Sequence, residues 1–442
     1  MANLRTTYCG IEIKNPIGVS SCDFGSTAAH AKRACEQGIG WITSKTAHHI
    51  DGPHHWPRPF FYSLKKFGPE LKDAWICSQQ FLEKDYDKWL NEELPKILKV
   101  CAEHDVLFVG SVCGVGDDPA TWECLLKDME NAGVKACELD TGGPHATFGA
   151  EADQADVGAP LAMDPKMAGR IAKMTAELTK MPLLYKMTPQ CVHQASVSAA
   201  VAPYQGIVAN NAFYGTWIDH ETGEFFGIPA SMGGLIGRPW QLFSLAKFLE
   251  TTCTVPKTTQ ICGIGGIFTW DDCVRYLLAG ATVTGLCSAV YSRGVTVLKD
   301  CIDGLNAYMD RKGYNSIEDF RGISCEKFGY LRDWPRENHM ADLTPIVPHF
   351  ENKNCTKCGI CEKVCPYGAI TVDENGARVN REDCMGCGWC MGHCPAKNQV
   401  IKMYNEDTGE MVWDLHNPCK PWALGLEDHV GGVRREAGSC MT

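Results

Sequence analysis

From residue 10 to about residue 312, short β-rich apolar runs alternate with longer segments whose apolar positions recur every three to four residues. Eight runs read as strands, centred on Ile17–Ser21, Trp41–Lys45, Leu107–Val112, Ala136–Leu139, Leu183–Met187, Ile207–Asn210, Thr259–Cys262 and Thr282–Leu286. Runs such as VLFVGSV and QGIVA are apolar at successive positions, the pattern of parallel strands covered on both faces. Between strands, DPKMAGRIAKMTAELTK sets Met167, Ile171, Met174 and Leu178 near one face of a helix. Eight strand–helix units over roughly 300 residues predict an α/β chain with a (β/α)8 TIM barrel, with a doubly wound sheet as the second reading. Barrel chemistry sits on the loops after the strands. The longest of these follows the second strand, from Ala47 to about Ala74.

The helical alternation stops after residue 312. Residues 313–345 carry prolines and charges and read as an ordered linker, and residues 346–402 as a small domain of another kind. Within it, Cys355, Cys358, Cys361 and Cys365 precede Pro366, and Cys384, Cys387, Cys390 and Cys394 precede Pro395. This is C-x2-C-x2-C-x3-C-P twice, the run that holds two [4Fe–4S] clusters, the fourth cysteine of each run serving the other cluster. One ligand set is then Cys355, Cys358, Cys361 and Cys394, and the other Cys384, Cys387, Cys390 and Cys365. Zinc needs four ligands and its usual spacings lack this pattern, and a disulfide framework does not explain it either. The expected second domain is an α+β bacterial-type 2[4Fe–4S] ferredoxin. The tail, residues 403–442, contains Trp413 and Trp422, which read as packing residues, and Cys419 and Cys440 without motif spacing.

Composition changes this picture little. Of 442 residues, 45% are hydrophobic and 21% charged, as in ordinary folded proteins. A net charge of −11 argues against nucleic-acid binding. No stretch approaches the roughly 18 uninterrupted apolar residues of a membrane span. The start, MANLRTTYCGIEIKNP, lacks a signal-peptide core, so a cytoplasmic protein without membrane contact is expected. Of 25 cysteines, the 17 outside the two runs read as buried thiols in a reducing compartment, which suits an anaerobe.

The stretch QICGIGGIFTWDDCVRYLLAGATVTGLCSAV has two glycine turns in consecutive units, at Gly263–Gly265–Gly266 and at Gly285–Ser288. Glycine turns after strands seven and eight form the usual phosphate site of barrels, here read as a flavin phosphate. No G-x-G-x-x-G fingerprint opens a βαβ unit, so no pyridine-dinucleotide domain is expected.

Together with the cysteine runs, the motifs KNPIGVSS, TSKT, CELDTGGPH, LLYKMTP, GIVANNAF, MGGLIGRP, CGIGGI and CSAV resemble the dihydroorotate/dihydropyrimidine dehydrogenase superfamily over nearly the whole chain. The match is closest to the flavin-plus-ferredoxin portion of dihydropyrimidine dehydrogenases. The resemblance implies an FMN barrel at residues 1–312 and an oxidoreductase acting on CH–CH bonds. It implies that Ser20 and Ser21 contact the flavin, that Lys45 and Lys186 flank its ring and stabilise the reduced anion, and that Asn211 lies near substrate. Gly234, Gly265, Gly266, Cys287 and Ser288 match the phosphate cradle.

The departures concern substrate. Asp140 stands where the family has an asparagine, Cys77 falls near another expected asparagine, and Ala212 replaces a threonine. The loop GAEADQADVGAPLAMDP has no cysteine to act as acid, and Leu161 falls near that place. Amides read a pyrimidine edge by paired hydrogen bonds, so their loss predicts a changed substrate. His145 is the first candidate acid, though a structural histidine is the blander reading; Asp153, Asp156 and Tyr214 follow. His48, His49, His54 and His55 read as a lid or contact loop before a metal site, and Arg58 as a binder of a substrate carboxylate.

The expected activity is reduction, or formation, of an activated C=C bond in a cyclic or conjugated small molecule, with electrons passing through two clusters to FMN. The rivals are a dihydropyrimidine or dihydroorotate dehydrogenase and an electron-transfer subunit with no substrate of its own. The donor is a separate FAD/NAD(P)H subunit or a ferredoxin, and the resemblance implies a homodimer or hetero-oligomer.

Overall fold

The computed structural model describes residues 2–48, 58–79, 81–143, 157–225, 232–329, 346–396 and 400–415. They form two units, one ending at Glu326 and the other beginning at Lys327.

In chain order, the strands of the first unit begin with β1 (Thr6–Tyr8), β2 (Ile11–Ile13), β3 (Ile17–Val19), β4 (Trp41–Thr43), β5 (Phe61–Ser63), β6 (Ala74–Cys77) and β7 (Leu107–Val112). They continue with β8 (Cys137–Leu139), β9 (Leu183–Lys186), β10 (Gly206–Ala209), β11 (Phe213–Gly215), β12 (Gly233–Gly237), β13 (Ile261–Ile264) and β14 (Val283–Leu286). The eight predicted runs are β3, β4, β7, β8, β9, β10, β13 and β14, and they close a parallel barrel in that order. The helices are α1 (Ala28–Cys35), α2 (Leu94–Glu103), α3 (Pro119–Asn131), α4 (Pro165–Leu178), α5 (Gln194–Val201), α6 (Gln241–Thr252), α7 (Trp270–Leu278), the short α8 (Ser288–Arg293) and α9 (Thr296–Lys312). Their starts are written in the sequence. Asp118 and Asp164 each accept a first-turn amide ahead of a proline at the first helical position. Thr269 and Asp272 form a capping box at α7. As predicted, Ile171 of α4 is buried, with Met167, Met174 and Leu178 packed at its edge.

Strand periodicity then decides the layers. Outward residues such as Ile17, Ile42, Phe108, Leu139 and Tyr185 pack under the helices. Inward residues Trp41, Leu107, Val109, Ala136, Leu184, Val208, Cys262 and Val283 fill the barrel, plugged by Tyr8, Cys9 and Ile13 of the β1–β2 hairpin. One further step of two along the strands reaches Ser111, Glu138 and Lys186, so the inward face turns polar at its C-terminal end.

The sequence pattern did not show a second sheet. β5, β6, β12 and β11 form an antiparallel sheet, with Cys77 opposite both Phe61 and Gly234. These strands are three to five residues long, too short for a periodicity to announce them, and the two local pairs β5–β6 and β11–β12 join only through β6 and β12, far apart in sequence. The barrel unit also outlasts the boundary read at residue 312. Ile317 and Phe320 are fully buried in its core, which carries the unit to Glu326.

The second unit holds β15 (Ile346–Phe350), β16 (Ile370–Asp373), β17 (Gly376–Val379), β18 (Ile401–Asn405) and β19 (Met411–Trp413), with α10 (Ile360–Val364) and α11 (Trp389–Gly392). A boundary at residue 402 cuts β18 in two. The sheet β15–β18–β19 runs on to Trp413, which packs against its small core. No described helix is long and apolar enough to cross a membrane.

Candidate active site and cluster-binding unit

A cavity of about 780 Å³, open at its mouth, lies at the C-terminal end of the barrel strands. Lys45, Cys113, Asp140, Lys186 and Cys287 reach it from strand ends. Phe61, Cys77, Gly234 and Ile236 reach it from the antiparallel sheet.

The polar floor is one network. The Lys186 ammonium, 6% exposed, donates to Glu138 Oε1 at 2.9 Å and lies 3.8 Å from Asp140 Oδ2. Ser111 donates to Glu138 at 3.0 Å and Thr46 to Asp140 Oδ2 at 2.7 Å; the Thr46 hydroxyl also lies 3.1 Å from that of Ser111. Ser21 joins at 3.3 Å from Thr46. Burial would lower Lys186, but Asp140 and Glu138 outweigh it, and the net shift is upward. Burial pushes Glu138 up, against the pull of Lys186. Lys186 is therefore a permanent cation held between two acids.

Asn211 is committed in the same way. Its Nδ2 donates to Asp140 Oδ1 at 2.9 Å, and its Oδ1 accepts from Ala212 N at 2.8 Å. One N–H and one lone pair of the carbonyl oxygen are left for a ligand. Asn210 is turned beneath the helices, where it accepts from Gln194 and donates to Ser244 O.

Of the flavin residues read from the sequence, Ser21, Lys45, Lys186, Asn211, Gly234 and Cys287 line the cavity. Gly234 does so from the antiparallel sheet, apart from the two glycine turns. Ser20 is buried just behind, its hydroxyl on Leu286 O. Gly265 and Gly266 follow β13, and Ser288 opens α8 after β14, so the two turns are neighbours because β13 and β14 pair.

Among the acids, Tyr214 is half-buried on β11 and is not among the lining residues; it projects from the strand paired to Gly234. His145, Asp153 and Asp156 lie outside the described residues, as do His49, His54 and His55. His48 sets its Nδ1 on Cys113 O and stacks on Phe81 at 5.2 Å, and no metal-holding group of side chains occurs among the described residues. Arg58 pairs with Glu83 at 2.6 Å, an exposed guanidinium on a half-buried acid, and is not among the residues that line the cavity. Leu161 is buried and accepts from the Tyr185 hydroxyl. Sequence reasoning missed Tyr291, Phe61 and Gln79 as lining residues, since no motif marks them.

In the second unit, one cavity of about 320 Å³ is lined by Cys355, Cys358, Cys361 and Cys394. Another, of about 300 Å³, is lined by Cys365, Cys384, Cys387 and Cys390. The fourth cysteine of each run thus sits with the first three of the other. Four sulfurs around each cavity suit the four-thiolate ligation of a cluster.

A profile of the dihydroorotate dehydrogenase family matches residues 86–309, and one of the 4Fe-4S dicluster domain matches residues 348–413. The chain belongs to the dihydroorotate dehydrogenase family. It is an oxidoreductase of that flavin-binding family joined to a 4Fe-4S ferredoxin-type domain. It is 24% identical over 393 residues to the NAD-dependent dihydropyrimidine dehydrogenase subunit PreA of Escherichia coli, covering 86% of this chain and 90% of that one. It is 27% identical over 327 residues to the catalytic subunit of dihydroorotate dehydrogenase B (NAD(+)) of Methanocaldococcus jannaschii, covering 73% and 98%. The Pyrococcus furiosus protein of that name is 28% identical over 325 residues, covering 73% and 99%.

The residues present fit the family's flavin. Gly265 and Gly266 hold φ of +116° and +67°. A Cβ would stand 2.5 Å from Ser244 Oγ at the first and 2.6 Å from the Gln241 backbone at the second, so bare backbone is required at this turn. Beside it the Gln241 Nε2 is buried without a hydrogen-bond partner. An orphaned donor beside a turn that admits no side chain is what an anionic phosphate satisfies.

Proposed function

We propose that this chain is the catalytic subunit of an FMN- and iron–sulfur-dependent oxidoreductase. It reduces, or forms, an activated C=C bond in a cyclic or conjugated small molecule other than uracil, thymine or dihydroorotate. Two [4Fe–4S] clusters relay electrons, one on Cys355, Cys358, Cys361 and Cys394, the other on Cys365, Cys384, Cys387 and Cys390. Gly265, Gly266, Cys287 and Ser288 hold the flavin phosphate, and Ser20, Ser21, Lys45 and Lys186 face its ring. Bound FMN supplies transfer of a hydride, and of electrons one at a time. Lys45 presents a positive charge to the cavity, while Lys186 is largely neutralised by Glu138 and Asp140.

One observation carries the change of substrate: Asp140 occupies Asn211 and Lys186. A pyrimidine edge needs matched amide donors and acceptors. Here Asp140 offers only acceptors and takes one Asn211 N–H, and Cys77 and Ala212 supply no amide. A site stripped of such partners discriminates against the ligand by orders of magnitude. The proton donor is left to His145, Asp153 and Asp156 before Tyr214. The donor of electrons is an FAD/NAD(P)H subunit, as the name of the Escherichia coli relative suggests, or a ferredoxin, in a homodimeric or hetero-oligomeric assembly. The abundance of thiols suits the cytoplasm of an anaerobe.

The experiment is anaerobic reduction with dithionite, followed by flavin absorbance on adding uracil, thymine, orotate and a panel of cyclic enones and aromatic acids. Reoxidation by a panel compound and not by pyrimidines is expected. Rapid reoxidation by uracil or thymine refutes the substrate reading, and silence throughout favours an electron-transfer subunit.

A further inference from the structure

The polar floor of the cavity is one hydrogen short. From Asp140 inward, three oxygen–oxygen contacts follow one another: Asp140 Oδ2 to Thr46 Oγ1 at 2.7 Å, Thr46 Oγ1 to Ser111 Oγ at 3.1 Å, and Ser111 Oγ to Glu138 Oε1 at 3.0 Å. Barrel order sets them in line. β4, β7 and β8 are neighbours, Ser111 lies opposite Glu138 in the β7–β8 register, and Ala47 N donates to Ser111 O, which carries Thr46 alongside β7. Thr46 and Asp140 line the cavity, whereas Ser111 and Glu138, 0% and 2% exposed, lie behind it.

A hydroxyl carries one hydrogen and an ionised carboxylate none. With both acids ionised, the three contacts therefore share two hydrogens. Ser21, 3.3 Å from Thr46, can give its own hydrogen to Thr46 but cannot fill a contact between two other oxygens. The 2.7 Å contact has the length of a hydroxyl on a carboxylate, so the contacts at 3.1 and 3.0 Å are left with one hydrogen between them. One added proton completes the chain, and it does so in two ways. On Glu138 it turns every hydrogen toward Asp140; on Asp140 it turns every hydrogen toward Glu138. The charges agree with this count. Lys186 faces both acids, at 2.9 and 3.8 Å, which leaves the group one net negative charge. Tyr8, Cys137 and Cys262 also face Glu138, and Cys113 faces Asp140; burial holds all four protonated. Lys45 stands on the cavity wall.

We propose that Asp140, Thr46, Ser111 and Glu138 form a proton relay that takes up one proton when the cavity gains negative charge and stores it on Glu138. The proton enters from the cavity at Asp140. Asp140 passes it to Thr46, Thr46 passes its own hydrogen to Ser111, and Ser111 passes its own to Glu138. Three O–H bonds break, three form, and no electrons move. The reverse sequence returns the proton to the cavity. Reduction of a C=C bond consumes two protons with its two electrons, and iron–sulfur clusters deliver electrons alone, so a proton held beside the reacting atoms has a use. That use rests on the function proposed above; the lodging of the proton does not.

Infrared difference spectra of the full-length holoprotein, dithionite-reduced against oxidised, read the stored proton, because reducing the bound cofactor adds negative charge to the cavity. The expected result is a protonated-carboxyl stretch gained on reduction and moved to lower frequency in D2O. Asp140→Asn and Glu138→Gln each place an amide N–H at one end of the chain and so supply the missing hydrogen; both should abolish the gain. Ser111→Ala leaves both acids in place and cuts the chain between them, and should abolish it too. Flavin and iron contents accompany each spectrum, so that only variants carrying the cofactors are compared. The absence of any such gain in the unmutated protein overturns the proposal, as does a gain that persists in Glu138→Gln or in Ser111→Ala. No substrate is added, so this result stands apart from the choice of substrate.

Discussion

Replacing Lys186 with methionine keeps the length of the side chain and removes the only charge that faces both Glu138 and Asp140 among the described residues. At 2.9 and 3.8 Å and an effective dielectric constant of about 20, each attraction is worth roughly 4–6 kcal/mol before desolvation. Lys186 and Glu138 are buried, so much of that gain already offsets the cost of burying the charges. Removing one partner leaves the desolvation cost exposed, and the expected loss is about 3–5 kcal/mol. For a unit of this size that is a fall in unfolding midpoint on the order of 10 °C. The loss should depend on pH. Glu138 is shifted upward in the fold, so its contribution is greatest below the unfolded value of 4.5 and is lost as pH rises through the folded value. Without Lys186 the upward shift of Glu138 grows, and the deficit should be full at neutral pH and shrink as pH falls and Glu138 takes up its proton. Lys186 is shifted upward as well, so its stabilisation in the unmutated protein persists to the unfolded lysine value of 10.5 and is lost only as pH rises through the folded value. Circular dichroism melts of the apoprotein from pH 4.5 to 8.5 make the measurement, with FMN omitted so that lost binding does not enter. A deficit below about 1 kcal/mol, the scale of an exposed ion pair, or one that does not change with pH refutes the reasoning.

Cys394→Ser should lose roughly half the iron and retain FMN, read by iron and flavin content; loss of FMN with full iron refutes the ligand sets. Gly266→Ala forces a Cβ toward Gln241 at a φ of +67° and should weaken FMN binding on the order of tenfold, measured by quenching of flavin fluorescence. Asp272 accepts from Phe268 N, Thr269 N, Arg238 and Arg275 just beyond the glycine turn. Asp272→Ala should cost about 3 kcal/mol in urea unfolding and also loosen FMN, whereas a stability loss with FMN affinity unchanged would separate that carboxylate from the cradle.

What the sequence determined by itself is local. Each barrel strand is a run of apolar residues, each capped helix has its polar stop in the adjoining residues, and each cysteine run sets its first three cysteines three residues apart. Strand formation, capping and three-point cluster wrapping depend on neighbours a few residues away, so spacing alone reveals them. That Lys45 and Lys186 line the cavity was legible for a related reason: they sit at strand ends, and strand ends point at the site.

Tertiary structure decided what depends on meetings between distant residues. The sheet of β5, β6, β12 and β11 brings Phe61, Cys77 and Ile236 over the barrel mouth, although none carries a motif. Ile317 and Phe320 belong to the barrel only because they find its core. Asp140 reads in sequence as one changed letter; in the fold it takes hold of Asn211, Thr46 and Lys186 together and so reassigns the hydrogen-bonding capacity of the pocket. Backbone preference acts over a few residues and survives in the letters, whereas the ionisation, pairing and recognition of a buried side chain depend on the groups that folding places around it.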